Sequence, residues 1–559
     1  MGSPNPLWVK SPLLLFRFRG LLIAVITGAL LLALASASFP LFVSTTESST
    51  LSEAIAGTTT YGAGVAVVQD GVNIVPTATD RQNGTESFDE KDLLLQNRFA
   101  DMKGLAPHVA TILPPTVTAT SAGAPSERPG VRLLYRTDVL SHVHKLEGNG
   151  NGVWISDIVA SSLDLKVGDR ITINSSERST QTLVGGIYEA LYKETVPAPY
   201  WINLIRETYA ATSSSGPPPT FVLLDEPEMK EITRALGLKS ARFMWEFPVR
   251  EDLTLPEADR LQERFSAFQH EFGDLNSPLG KAFFCVTCRN GTGDFFSLLP
   301  TAIGTARKNV TAIRGPVNLL SVAGIIVALT VIASAAVFAM ARRRTESALL
   351  FAHGTSALVV GAKAALESTI PVVIGTAFGF GVAYGIFSAV GPSGSIDPSA
   401  VAAAEKVAAV GIPVAVLLLG VVSAISYLRQ SESATATFRK LSRLPWEIVV
   451  LAIAGLFWRK VTSGGALVEG GGNSVARPSV FLLLFPIFFI GGTAGLGARA
   501  LQAPLRRAVR GKRAMRPAPY LALHRLAGTK RLAILLVTAA ALSLGILVYA
   551  QTVVRSLTT

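Results

Sequence analysis

At 559 residues the chain is too long for one ordinary domain. Its 49% hydrophobic and 16% charged residues, with a mean hydropathy of +0.41, point away from an ordinary soluble protein and toward membrane spans. The formal charge of +12 does not argue for nucleic acid as a partner, because the basic residues lie mostly beside apolar runs, where the positive-inside rule puts them in cytosolic loops.

A membrane helix needs about 20 mostly apolar residues. Residues 1–19 carry Lys10, Arg17 and Arg19 and are placed in the cytosol, and Gly20 to Val43 (20–43) follows as the first span. Ala35, Ser36 and Ala37 also fit a signal-peptidase site, but the apolar run continues past them, so an uncleaved helix is expected. Residues 44–297 have soluble character and are read as one large domain outside the membrane, long enough to bury its own core. Pro, Gly and Ser clusters at Leu113 to Gly130 and Ser213 to Pro219 mark loops in it.

Within that domain Val153 to Ile155 predicts a strand, and Asp157 to Leu163 a short helix capped by its acid. Val167-Gly168-Asp169 predicts a turn into the strand Arg170 to Asn174, and Leu183 to Tyr188 a further strand. Pro256 to Gly273 predicts a helix whose Leu261, Phe265, Phe268 and Phe272 recur at helical spacing. Such a stripe is read as core, with a groove for a lipid or partner as the alternative. His142 and His144, two apart, would share one face of a strand, where a metal would need further ligands nearby, and nothing in the sequence obliges that. Asp89, Glu90 and Asp92 read as a solvated acidic face and not as a paired acid and base. The chain's only cysteines, Cys285 and Cys288, have no second Cys or His pair nearby and are read as a local disulfide, not as a redox motif or half a zinc site. No catalytic, cofactor or metal site is expected.

Leu298 to Val317 is polar and basic but helical in pattern. It runs into the apolar stretch Val317 to Met340 with Gly315-Pro316 as the expected kink, and looks like a stalk helix. Arg342, Arg343 and Arg344 close that span and return the chain to the cytosol. Glu346, a weakly amphipathic helix and the turn Ala352-His353-Gly354-Thr355-Ser356 come next, then the apolar runs Leu366 to Val390 and Val407 to Leu428. Lys363 and Glu367, four apart, read as a surface or helix-end pair. Pro445 to Trp458 is a short candidate span interrupted by Arg459 and Lys460, whereas Val480 to Leu501 and Leu532 to Val553 are long enough, with a basic cytosolic segment at 502–531 between them. The expected fold class is an α-helical integral membrane protein with a large α+β extracytoplasmic domain and about seven transmembrane helices, a stalk helix included.

The order of basic cluster, acidic residue, short helix, Gly-Thr-Ser turn and new span resembles the FtsX-like permease family of ABC transporters (MacB, LolC and FtsX type), most clearly over 298–428. Gly152 to Ala190 is similar to the small β-rich core of the extracytoplasmic domains of MacB-like permeases. The resemblance implies that an elbow formed by Arg342, Arg343, Arg344, Glu346, Gly354, Thr355 and Ser356 sits against a separate ABC ATPase subunit, and that the stalk carries its motion outward. It also implies a bacterial plasma-membrane location, with the N-terminus in the cytosol. The implied partners are the ATPase, membrane lipids, a second permease subunit or second copy, and an unidentified extracytoplasmic partner or substrate.

ATP chemistry is assigned to that partner because no P-loop is evident: Gly280-Lys281 is followed by Ala282, and Gly511-Lys512 lacks the first glycine. Spans nearly devoid of ionisable residues argue against an ion-driven carrier. The expected work is export or extraction of a lipid, lipoprotein, peptide or drug. The alternative is a regulator that transports nothing and passes ATPase motion to a cell-wall hydrolase or another extracellular partner. Long family members repeat the plan, so 429–501 would hold an intermediate helix pair and 532–559 the opening helix of a second repeat. A fragment, a split permease and a reduced form all stay open on that reading.

Overall fold

A computed structural model describes residues 18–74, 86–124, 126–193, 198–208, 220–285, 291–392, 395–428, 446–464, 467–468, 477–478, 480–500 and 545. The N-terminal flank with Lys10 and Arg17, the loop Ser213 to Pro219, Cys288, Lys440, the basic segment 502–531 and, apart from residue 545, the run Leu532 to Val553 lie outside them. The chain divides into two compact units, one of Met1–Ser49 with Arg307–Thr559 and one of Thr50–Ala306.

Helix α1 (Arg19–Thr58) is 40 residues long and continues well past the apolar run that ends at Val43. The extension holds because its hydroxyls bond back into the helix instead of opening it: Thr45 Oγ1 and Thr46 Oγ1 donate to Phe42 O at 2.9 and 2.8 Å. Leu51 and Ile55, near its end, bury in the core of the second unit.

That second unit is a sheet built of β1 (Val65–Asn73), β2 (Val109–Leu113), β3 (Val117–Thr120), β4 (Gly130–Arg136), β5 (Lys145–Gly148), β6 (Val153–Ser156), β7 (Arg170–Asn174), β8 (Ser179–Tyr188), β9 (Thr220–Leu224), β10 (Ser240–Phe247) and β11 (Asp294–Phe296). One run, β11-β1-β10-β2-β4, is antiparallel throughout. From β4 the ladder passes through β3, β7, β8, β6 and β9, and β9 pairs in parallel with β4 again, closing a small barrel. Closure hides the strand edges that an open sheet would expose. It also explains Gly186 on β8, since a Cβ there would lie 2.5 Å from the Trp154 ring of β6.

Alternate residues fill two cores, as a strand's period of two demands. Val131, Leu133, Val222 and Leu224 belong to the larger one, and Leu134, Phe221 and Leu223 to the smaller. Among the helices that pack on the sheet are α2 (Phe88–Phe99), α3 (Asp157–Leu163), α4 (Glu226–Ala235) and α5 (Leu255–Gly273). In α5, Leu261, Phe265, Phe268 and Phe272 are all buried, so the aromatic stripe is core and not a groove. The cap of α3 differs from expectation by one residue. Ser156 takes the N-cap, accepting from Val159 N at 3.3 Å, while Asp157 accepts from Ala190 N at 3.0 Å and pairs with Lys193.

The short turn Thr60–Ala63, near this unit's start, is tied to the chain after β10 and to the chain just before α6. Val249 N donates to Thr60 O at 3.1 Å and Leu298 N to Gly62 O at 2.9 Å, and Ser297 Oγ donates to Ala63 O at 3.0 Å. Thr59, which opens the turn, has φ 67°, a conformation a β-branched residue rarely adopts.

The first unit holds the remaining long helices, α6 (Leu299–Arg342, whose first turns belong to the second unit), α7 (Arg344–Ala352), α8 (Ala357–Val390), α9 (Pro398–Leu428), α10 (Trp446–Gly464) and α11 (Val480–Ala500). Among the described residues four helices, α1, α6, α8 and α9, are long and apolar enough to cross a membrane, which makes this a membrane-embedded chain. The seven spans expected from sequence thus reduce to four in the described part. In α10, Glu447, Arg459 and Lys460 spoil the apolar window, and the apolar stretch of α11, Leu484–Gly497, is short. Those two helices pair with each other through Phe457 and Phe488, whose ring centroids are 5.3 Å apart.

Helix α1 is the centre of the first unit. Its Leu21, Val25, Ala29 and Leu32 pack with Ala328 and Ile332 of α6, Val372 of α8 and Ala415 of α9. Glycines let the backbones approach: a Cβ on Gly375 or Gly379 of α8 would fall 2.5 Å from Ile26 O and 2.4 Å from Leu30 O. On the same helix Gly381 faces open space. Gly379→Leu is therefore expected to cost about 1–3 kcal/mol through overpacking, read as a lower thermal midpoint of the detergent-solubilised chain, whereas Gly381→Leu leaves the midpoint nearly unchanged.

Candidate functional site

The residues singled out in the elbow come together where α6, α7 and α8 meet. Arg342 ends α6, Arg343 stands between the helices in the N-cap position of α7, and Arg344 begins α7. Arg342 and Arg344 are exposed. Arg343 turns inward, its side chain 14% exposed. Glu346 sits in the first turn of α7, where an acid suits the positive end of the helix, and accepts from Lys363 Nζ at 2.7 Å.

The Gly-Thr-Ser turn has a clear physical reading. Gly354 has φ 71°, the left-handed conformation that ends helices. Gly354 N donates to Phe351 O at 2.9 Å and Thr355 N to Leu350 O at 3.0 Å, the two bonds of a Schellman motif. Ser356 then caps α8, its side chain accepting from Val359 N. One glycine closes a helix and one serine opens the next, so three residues make the reversal. The turn is held to α9 by Tyr427, whose Oη donates to Thr355 O at 3.0 Å. Tyr427, Met340 and Val360 form a small apolar cluster with Leu350 and Ala357 against it.

Two residues of this site were not recognised in the sequence as part of it. Glu367 of α8, read as half of a surface pair, is 2% exposed and forms an ion pair with Arg343 Nη1; Lys363 is farther from it, at 3.8 Å. Phe18 lies under the Arg343 guanidinium, 4.7 Å from its ring centroid. The elbow also exposes apolar side chains: Leu349, Phe351 and Leu358 are 64%, 51% and 83% exposed.

The other residues considered from sequence do not assemble into a site. Cys285 belongs to the other unit, is buried and is disulfide-bonded. His142 stacks on Tyr200 with centroids 3.8 Å apart, while His144 pairs with Glu189 at 2.9 Å, so the two histidines serve different neighbours. Burial lowers the His142 pKa and raises that of Tyr200. Asp89 pairs with Lys230, Glu90 completes a capping box with Ser87, and Asp92 meets His108 at 3.2 Å. Among the described residues no group of three or more His, Cys, Asp or Glu could hold a metal. The fully buried Arg136 and Glu246 pair beneath Tyr200, with Asn203 Nδ2 donating to Glu246 at 2.7 Å. That pair joins β4 to β10 with both side chains fully buried, so it belongs to the fold.

No family model matches the chain, and no curated protein matches it. A matching solved structure is a domain assigned to a permease protein of Porphyromonas gingivalis, with 14% identity and a TM-score of 0.22, covering 39% of this chain and 87% of that one.

Replacing Gly354 by Ala is expected to destabilise the elbow by about 1–2 kcal/mol, because its φ is positive although the space around it is open. A shift in the thermal midpoint of the purified chain checks this, with Gly304→Ala, an open position inside a helix, as a control that does not lower it.

Proposed function

We propose that the chain is the membrane permease subunit of an ABC transporter, its elbow receiving the motion of a separate ATPase subunit. The observation that carries the reading is the outer face of the elbow. Leu349 and Phe351 on α7 and Leu358 at the start of α8 stand exposed, as do Arg342 and Arg344, in the segment that joins two membrane-length helices. Exposed apolar side chains and arginines in one short segment suit contact with a protein partner. Motion received there would pass into α6, a single helix of 44 residues, and on to the sheet domain. The work done outside is then export or extraction of a lipid, lipoprotein, peptide or drug, with hydrolysis confined to the partner. The membrane concerned is the bacterial plasma membrane, with the elbow in the cytosol beside its arginines.

The test is whether an ABC ATPase co-purifies with this chain from native membranes. Arg342→Glu with Arg344→Glu is expected to lower the recovered ATPase at least about tenfold, equivalent to about 1.4 kcal/mol of binding. Recovery within about twofold of the parent, where a tenfold loss is about 1.4 kcal/mol, contradicts the assignment.

A further inference from the structure

We propose that Arg343 and Glu367 form an internal latch that holds the elbow down on α8 and α9. On this reading the middle arginine of the three is a positioning residue, and only its neighbours face outward. The latch is a property of this chain alone and does not depend on the identity of any partner.

The geometry separates the three arginines. Arg342 and Arg344 are exposed, whereas Arg343 donates through Nη1 to Glu367 Oε2 and stacks on Phe18. Glu367 lies on a membrane-length helix and is almost wholly buried, a placement that is costly for a carboxylate without a cationic partner. Arg343 supplies that partner.

The pair is also incompletely satisfied, which suits a contact that opens. Arg343 Nε and Nη2 and Glu367 Oε1 are buried without hydrogen bonds. Lys363 stands 3.8 Å from Glu367 Oε1 while bonded to Glu346 of α7 at 2.7 Å. It is therefore placed to take over Glu367 when Arg343 leaves, and that exchange releases Glu346 and with it the start of α7. Pro371, four residues after Glu367 in α8, has no N–H to offer the Glu367 carbonyl, so the helix is already weakened at the latch. At the far end of α7, Tyr427 on Thr355 acts as the second restraint. The elbow is thus pinned at both ends, by a charge pair where it begins and a single hydrogen bond where it closes.

Val360 gives a reporter, since it is 6% exposed and packs under Met340 and Tyr427. Val360→Cys in the full chain, reconstituted in lipid vesicles, is titrated with a water-soluble maleimide, with the reporter-free chain as background. Arg343→Glu or Glu367→Arg is expected to speed labelling at least about tenfold, a change of about 1.4 kcal/mol in the opening equilibrium. The combined exchange Arg343→Glu, Glu367→Arg is expected to bring the rate back close to that of the parent, because the pair is restored with its sign reversed. A second reporter, Ala404→Cys, buried elsewhere in the same unit, is expected to stay slow throughout.

Single variants that label like the parent, or an exchange that restores nothing, overturn the latch. So does simultaneous opening of both reporters, which is general unfolding. Should the reversals yield no protein, Glu367→Gln carries the test, and an unchanged Val360→Cys rate in it counts against the proposal.

Discussion

Helices in a bilayer gain little by burying apolar surface, since lipid is as apolar as a leucine, so their association rests on close packing of backbones. In this chain that constraint falls on α1. Gly375 and Gly379 bring α8 against it, Gly28 brings α6 against it, and Gly361 lets α8 approach Gly420 of α9. Larger residues on the outer faces, such as Phe378 on α8 and Val410 and Leu417 on α9, are left exposed by the bundle and suit a lipid surround. The bundle fixes where α6 ends and α8 begins. Everything proposed for the elbow depends on that placement.

The elbow itself is economical in physical terms. A Schellman turn and a serine cap reverse the chain in three residues, which keeps α7 short and presents Leu349 and Phe351 outward. The charges divide their tasks by burial. Arg343 is turned inward to Glu367, whereas Arg342 and Arg344 stay exposed, as do Leu349 and Phe351. In the other unit, the turn Thr60–Ala63 that follows α1 holds Ser297 and Leu298, just before α6, by hydrogen bonds.

Periodic features were legible in the sequence. The stripe of Leu261, Phe265, Phe268 and Phe272 announced both a helix and its buried face, and the apolar runs marked the four helices long enough to span. The end of α1 was not legible, because Ser44 to Ser49 is polar by composition although Ser44, Thr45, Thr46 and Ser48 are buried. Barrel closure was hidden too, since β4 and β9 are far apart in sequence and their parallel pairing leaves no local signature. At the site, the Gly-Thr-Ser turn could be read from residue chemistry alone. Glu367 could not, because its spacing from Lys363 fits an ordinary surface pair and only the fold brings Arg343 to it. A carboxylate four residues before a proline, within an apolar helix, was the available signal.

The central claim is that the elbow couples this chain to ATP hydrolysis elsewhere. The most direct measurement is ATP turnover, in lipid vesicles with and without the full chain, by whichever ABC ATPase co-purifies with it. The account predicts that the chain changes turnover several-fold and that Leu349→Ser together with Phe351→Ser abolishes the change. Turnover indifferent to the chain, or a change that survives those two substitutions, would contradict it.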